Sequence, residues 1–414
     1  MTRIFSMGPS GAVPAFVYAA TGPRTTLPLA KTRAAPYKTA MADTLPLFLA
    51  AQPGLEAALA EEARAAGFLD PRPVPGGVEI TGTLQDMRRA NLVLAGAGRV
   101  LVRIAEFRAF HLAQLDKRAR KIDWAAWIAP GTPVRVEATC RKSKIYHDRA
   151  AAQRIAKAVT DAGAVLARGE ADAEADEALR LIARIDDDLV TISLDSSGAP
   201  LHRRGLKTFV GKAPLRETMA ALFLRQMGHD GREPLVDPMC GSGTLLLEAA
   251  SMASGLAPGR ARAFAFERFA NHDPAAWAAL RTPVVPPDGP PRFFGFDRDQ
   301  GAITGATRNA EQAGVTALCQ FACQPISALE PPVPGPGLIM VNPPYGARIG
   351  NKKLLYGLYG ALGETLRTRF AGWRLGLMTS EPALAKATAL PITPGPRVAH
   401  GGLTVQLWQS DPLR

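Results

Sequence analysis

The sequence predicts an α/β fold, with a doubly wound parallel sheet in the carboxyl-terminal half and a smaller α+β region ahead of it. Three stretches carry this expectation. Residues 234–250 run from a short apolar strand through an acid and a glycine turn into an apolar helix. Arg292-Phe293-Phe294-Gly295-Phe296 is a second strand-like run, closed by Asp297 and followed by a helix-like stretch from Ala302 to Ala313. Gly337 to Val341 is a third, with the length and branching of a buried strand, and it leads directly into Asn342-Pro343-Pro344-Tyr345. Strands that alternate with helices build parallel sheets, and such sheets bind ligands beyond the carboxyl ends of their strands.

In chain order, residues 1–40 carry five basic side chains and no acid in a Pro/Gly/Ala/Thr-rich setting. They superficially resemble a targeting peptide. Met41-Ala42-Asp43-Thr44-Leu45 reads as a natural domain start, so a flexible basic tail or a misassigned initiator both fit. Residues 45–107 then alternate: strand Leu45–Ala50, helix Leu55–Ala66, strand Gly77–Gly82, helix Leu84–Leu94 and strand Arg99–Phe107. Leu55, Ala58, Leu59, Ala63 and Ala66 recur at helical spacing and are most simply core contacts. From His111 to Thr160, eleven lysines and arginines stand against four acids. The acidic stretch 170–177 reads as a solvated face. Arg203, Arg204, Lys207, Lys212 and Arg216 form a second basic run, with no acid between Asp195 and Glu217. This run suits either a clamp on a polyanion or, through Leu206, Phe209 and Val210, packing between domains.

The glycine turn narrows the ligand. Gly241 and Gly243 let the backbone turn tightly and approach a bound molecule, and Thr244 caps or starts the following helix. No Gly-Lys-Ser/Thr follows, which excludes a phosphate-binding P-loop, and Leu246 occupies the place of the third glycine of a dinucleotide fingerprint. Asp237 at the strand end suits a cationic or amino-bearing ligand and would repel a pyrophosphate. An acid ending the second strand, here Asp297, is where such folds hold a ribose diol. It lies 54 residues beyond Gly243, whereas the ordinary spacing is about 20. An insertion therefore separates them, and its Ala257-Pro258-Gly259 and Pro283–Pro291 segments read as surface loop.

Asn342-Pro343-Pro344-Tyr345 is suited to presenting a planar nitrogen nucleophile. An exocyclic amine or carboxamide attacks poorly unless its hydrogens are held by acceptors. The Asn342 side chain supplies one oxygen, and the two prolines remove backbone donors and leave the Pro343 carbonyl to supply another. Tyr345 offers a face for stacking, worth about 1–3 kcal/mol against a base. A proline-punctuated turn after a strand is the plainer reading of this segment alone.

Composition bounds the rest. A chain of 414 residues, 47% hydrophobic, can bury a core in about two to three domains. No apolar run reaches the roughly 18 residues needed to cross a bilayer, so no membrane partner is expected. Cys140, Cys240, Cys319 and Cys323 are scattered, and no second pair or nearby histidines complete a zinc site. No metal is expected, and reduced thiols in a cytoplasmic protein are. The net charge of +12 favours a polyanionic partner without identifying it.

Taken in order, Lys212 to Thr218, Asp237-Pro238-Met239-Cys240-Gly241-Ser242-Gly243-Thr244, Gly295-Phe296-Asp297 and Asn342 to Gly346 resemble the THUMP-containing class I S-adenosyl-L-methionine-dependent RNA guanine-N2 methyltransferases. The likeness is greatest to the RlmL-like enzymes of bacterial large-subunit rRNA, in their amino-terminal half. It extends through Leu194–Gly198, Leu201–Gly205 and Trp277, over roughly residues 43–410. The resemblance implies a Rossmann-like methyltransferase domain at 201–414, a ferredoxin-like module at 41–108 and a THUMP RNA-binding domain at 109–200, after the tail or misassigned start at 1–40. It implies a donor site built from Asp237, Pro238, Cys240, Gly241, Gly243, Thr244, Asp297 and Asn342, with Asn342, Pro343, Pro344 and Tyr345 at the target base. Val134–Cys140 would be a THUMP strand, with Tyr146 and His147 close to the basic loop that follows it. RNA contacts are expected from Lys117, Arg118, Arg120, Lys121, Arg141, Lys142, Lys144, Arg203 and Arg204. One departure is that residues 321–327 lack the acid that often meets the adenine amine, leaving Gln324 or a backbone group in its place. The RNA would be 23S rRNA, or a tRNA, and the oligomeric state is open. The rival readings are a DNA adenine-N6 methyltransferase, a protein glutamine methyltransferase, and a non-catalytic RNA-binding or ribosome assembly factor.

Overall fold

The computed structural model describes residues 44–167, 178–211, 215–281, 289–346 and 352–414. The basic segment 1–40, the acidic run 170–177, Lys212-Ala213-Pro214 and residues 283–288 of the proline-rich loop lie outside the described residues.

The amino-terminal half is built on one eight-stranded sheet of order β2-β3-β1-β4-β8-β7-β5-β6. Its strands are β1 (Leu45–Ala50), β2 (Arg72–Val74), β3 (Gly77–Gly82), β4 (Arg99–Arg108), β5 (Pro133–Arg141), β6 (Val165–Leu166), β7 (Leu179–Asp186) and β8 (Leu189–Asp195). Helices Glu56–Ala65 and Leu84–Val93 accompany β1–β4, and Leu112–Ala119 and Asp148–Asp161 accompany the rest. Thr83 and Asp86 form a reciprocal capping box that starts the second of these helices. The long strand β4 pairs with β1 on one side and β8 on the other, so the sheet runs without a break past residue 108. Three-residue β2, which contains a proline, gave no periodic signal of its own.

The carboxyl-terminal half is a seven-stranded sheet of order β11-β10-β9-β12-β13-β15-β14. It comprises β9 (Leu235–Asp237), β10 (Phe293–Asp297), β11 (Cys319–Cys323), β12 (Leu338–Val341), β13 (Arg374–Thr379), β14 (Ile392–His400) and β15 (Leu403–Ser410). The first five are parallel and the final hairpin is antiparallel. The chain leaves β9 towards β10 and β11, then returns to place β12 on the other side of β9. That reversal of direction is where open α/β sheets bind their ligands.

Within the insertion before β10, Ala257-Pro258-Gly259 departs from the surface loop expected of it, and the residues after it form a packed segment. Phe264, Phe266, Phe269 and Trp277 are buried, and the helix Pro274–Leu280 starts on an Asp273 cap. Backbone bonds then join this segment to the other half: Gly259 N to Leu92 O at 2.9 Å, Phe266 N to Ser196 O at 3.0 Å and Ala270 N to Trp127 O at 2.9 Å. A side chain at 259 would meet Phe264, Asn91 and Leu92, so Gly259 marks a close crossing of two domains rather than an exposed turn. Arg262 reinforces the joint by donating to the carbonyls of Ser197, Ala199 and Pro200. All four cysteines are free thiols. Among the described residues no helix is long and apolar enough to cross a membrane, and no cluster of side chains has the makings of a metal site.

Candidate active site

β9 and β12 lie side by side and parallel, with Leu235 opposite Leu338 and Val236 opposite Ile339. The same register carried forward sets Asn342 just beyond the level of Asp237, so the glycine loop and the Asn-Pro-Pro-Tyr segment emerge together from one end of the sheet. β10 flanks β9 on the other side, and its Asp297 carboxylate accepts from Gly241 N at 3.1 Å and Asp299 N at 3.0 Å. Asp297 thereby braces the glycine loop while each oxygen retains lone-pair capacity.

Gly241 and Gly243 have φ of +52° and +80°, a region that other residues enter at a cost. A Cβ on Gly241 would point into open space, whereas one on Gly243 would come within 3.3 Å of Ala306 Cβ and 3.4 Å of the Phe321 ring. One glycine therefore faces the side from which a ligand approaches, and the other lets the loop close onto the sheet. Thr244 begins the helix Thr244–Ala253, with Gly243 rather than a side chain at its cap. Pro238 is buried, and the Cys240 side chain is buried too, its thiol pushed well above its usual value mainly by that burial. Cys240 thus lines the loop through its backbone, where its N–H meets Phe296 O at 2.9 Å. Asp237 is almost fully buried and accepts one bond, from Met239 N at 3.1 Å. Burial, with the nearby charge of Asp297, pushes its carboxyl up to about 8. A cationic ligand in the loop would stabilise its ionised form.

Asn342 Oδ1 is buried and, among the described residues, has no hydrogen-bond partner. An orphaned acceptor of this kind is destabilising by about 1–3 kcal/mol, and its presence at a strand end needs a reason. The rest of the segment is held by groups that the sequence did not announce. The Tyr359 hydroxyl, on the helix Lys352–Arg369, donates to the Pro344 carbonyl at 3.3 Å, and Glu381 Oε1 accepts from Gly346 N at 3.0 Å. With the Pro344 carbonyl engaged, that of Pro343 is the one left for a substrate. Tyr345 is half-buried against the hydrophobic core, and its hydroxyl is pushed up to about 12 by burial, so it is neutral.

Asn309 was another silent residue. Fully buried on the helix Gln300–Ala313, it accepts from Thr208 N and Phe209 N at 3.1 Å and donates to Phe209 O and Ser242 O at 2.9 and 3.1 Å. It pins the interdomain linker to the glycine loop, and Phe209 fills the space over Gly305. A polar residue on an otherwise apolar helix face was the only available signal.

Several basic residues expected at an RNA surface are placed otherwise. Arg204 is 5% exposed, pairs with Glu248 at 3.2 Å and donates to the carbonyls of Ala95 and Leu201, so it joins the two halves instead of facing RNA. Lys207 is held between Glu217 at 2.7 Å and Thr244 Oγ1 at 2.8 Å. Arg120 is exposed but bridges Asp116 and Asp161. Lys117, Arg118, Lys121, Arg141, Lys142, Lys144 and Arg203 are exposed. Gln324 donates its backbone N–H to Asp297 O at 2.9 Å, beside the glycine loop.

Known proteins share this architecture. The RMKL-like methyltransferase domain family matches residues 204–393, and the RlmL ferredoxin-like domain family matches residues 46–101. The ribosomal RNA large subunit methyltransferase K/L of Syntrophotalea carbinolica is 36% identical over 379 residues, covering 88% of this chain and 53% of the relative. The chain spans about half the length of the curated relatives it matches. Among solved structures, a possible methylase from Clostridium difficile 630 superposes with a TM-score of 0.80 at 28% identity, covering 90% of this chain and 99% of the other. A putative methyltransferase complexed with SAH superposes with a TM-score of 0.77 at 25% identity, covering 90% of this chain and all of the other, 100%. By its ferredoxin-like domain at 46–101 and its methyltransferase domain at 204–393, the chain belongs to the RlmL-like methyltransferases.

Proposed function

We propose that this protein transfers a methyl group from S-adenosyl-L-methionine to the N2 amine of a guanine in 23S rRNA, in the cytoplasm. The observation that carries the reading is the orphaned Asn342 Oδ1, an acceptor with no donor among the described residues, at the same sheet end as a glycine loop that can hold a methyl donor. The residues fit the donor. Asp237 would meet its cationic amino-acid end, Gly241 and Gly243 would admit its backbone-hugging body, and Asp297 would face its ribose. When bound there, S-adenosyl-L-methionine supplies an electrophilic sulfonium methyl group.

The protein's own groups do the positioning. A guanine turned out of its stack rests on Tyr345, as bases do in other enzymes that modify them. Asn342 Oδ1 and the Pro343 carbonyl accept the two amine hydrogens, which localises the nitrogen lone pair and directs it. Tyr359 and Glu381 keep the segment from shifting. No strong base is required, because positioning supplies most of the acceleration and the proton leaves to solvent afterwards. Residues 41–108 and 109–200, with their exposed cations, deliver the RNA as ferredoxin-like and THUMP units. The β14–β15 hairpin connects the two functions: Gln52 donates to the Ala399 carbonyl, while Leu403 at its tip lies beside Gly346.

The test is labelled methyl transfer from S-adenosyl-L-methionine to transcribed 23S rRNA fragments, bulk tRNA and adenine-containing DNA in parallel, with nucleoside mass spectrometry of the products. N2-methylguanosine in rRNA is expected. N6-methyladenine in DNA, or donor binding without product on any nucleic acid, would replace this reading with one of its rivals.

A further inference from the structure

We propose that the loop after β5 and the end of β4 together form a stacking platform for unpaired RNA nucleotides, so that the amino-terminal half selects single-stranded over duplex RNA. This rests on the RNA reading above and goes on to name the kind of RNA. Tyr146 is 72% exposed and Phe110 is 41% exposed, both amid a basic surface. Lys144 Nζ lies 4.8 Å over the Phe110 ring, which brings the two segments together, and the Tyr146 and His147 rings sit 4.1 Å apart at 44°. Arg141 and Lys142 are exposed on the same loop.

One turn fastens the two segments together. Asp187 and Asp188, with φ of +52° and +61°, form the tight connection between β7 and β8. Asp188 O accepts from Ala109 N at 3.0 Å, next to Phe110, while Asp188 Oδ1 accepts from Lys144 N at 2.7 Å. Ser143 Oγ accepts from Asp188 N at 3.0 Å and donates to Arg141 O at 2.6 Å, and Asp187 O accepts from Arg108 at 3.0 Å. The two aromatic-bearing segments are thus fastened to a single hub before any ligand arrives.

Exposed rings set among cations suit one form of nucleic acid. Bases in an A-form duplex are stacked on each other and offer no free face, and a duplex is read through phosphates and 2′-hydroxyls, for which cations alone suffice. Unpaired bases present faces that stack on aromatic rings, with nearby lysines and arginines meeting the backbone between them. A ring held ready by a pre-ordered loop loses little freedom when a base lands on it.

The test uses the full chain and two labelled RNAs, an unstructured 12-mer and the same strand annealed to its complement, with affinity read by fluorescence anisotropy at several salt concentrations. The wild-type chain should prefer the single strand. Tyr146→Ala should weaken single-strand binding about tenfold and leave duplex binding unchanged, and Tyr146→Phe should restore it. Lys142→Ala should weaken both and reduce the salt dependence by about one counterion. Equal binding of both RNAs by the wild type, or no loss in Tyr146→Ala, overturns the platform while methyl transfer to RNA continues unaffected. If the wild-type chain binds neither RNA and methylates none, the RNA reading itself is lost and the platform with it.

Discussion

Replacing Asn342 with alanine distinguishes a substrate-holding role from a structural one, because the two predict opposite changes in stability. Oδ1 is buried with no partner among the described residues, and such an orphan destabilises a folded chain by about 1–3 kcal/mol. Removing it offsets the packing lost with the shorter side chain. The melting temperature of Asn342→Ala should therefore equal that of the native protein or exceed it by about one or two degrees. Turnover moves the other way. The nitrogen becomes positive as its bond to the methyl carbon forms, and deleting one preorganised partner of developing charge in a water-excluded site removes about 3–4 kcal/mol. This corresponds to about 10²–10³-fold in kcat at 25 °C. Scanning calorimetry, donor titration by isothermal calorimetry and initial rates on a 23S rRNA fragment measure the three quantities, with donor affinity expected to stay within about threefold, well under 1.4 kcal/mol. Native turnover in this variant, or a melting temperature lower by more than about 5 °C, would show that Asn342 supports the fold instead of the substrate.

Three other substitutions probe the surroundings. Burial raises the Asp237 carboxyl to about 8 in the folded chain, above its ordinary value near about 4. Its contribution to stability is therefore fully present below about pH 4 and is lost as pH rises through about 8. Asp237→Asn should flatten the decline in melting temperature of the ligand-free protein across that window, and native donor binding should tighten with rising pH only when Asp237 is present. Arg204→Ala strands the buried Glu248 carboxylate and should destabilise the protein by about 3–5 kcal/mol in denaturant titrations, with RNA affinity of the folded protein unchanged. A loss of RNA affinity without loss of stability would return Arg204 to the RNA surface. Tyr359→Phe removes the donor to the Pro344 carbonyl and should lower kcat about 3–10-fold at unchanged donor and RNA affinities. A change confined to KM would place Tyr359 in binding.

Strands β1, β3, β10 and β12, and the helix after the glycine loop, were legible because each is specified locally by alternation, apolar run length or turn chemistry within a few residues. The glycine loop and the Asn-Pro-Pro-Tyr segment stood out in the sequence for the same reason, since each is written in contiguous residues. Tertiary structure alone decided what depends on partners distant in the chain. Arg204 and Lys207 look like free cations in the sequence, yet Glu248 and Glu217 capture them, because a buried charge is tolerable only beside its opposite. Asn309, Tyr359 and Glu381 carry no local pattern, and only the packing of distant helices and strand ends aims them at the glycine loop and the target segment. Ala257-Pro258-Gly259 reads as loop because proline and glycine interrupt it, yet Gly259 crosses close to Asn91 and Leu92, and the aromatics that follow it are buried between the two halves. Local chemistry therefore wrote the two halves of the candidate reaction site into the sequence. Bringing them to one sheet end required the parallel pairing of β9 with β12, a contact between residues about a hundred positions apart that no local pattern can encode.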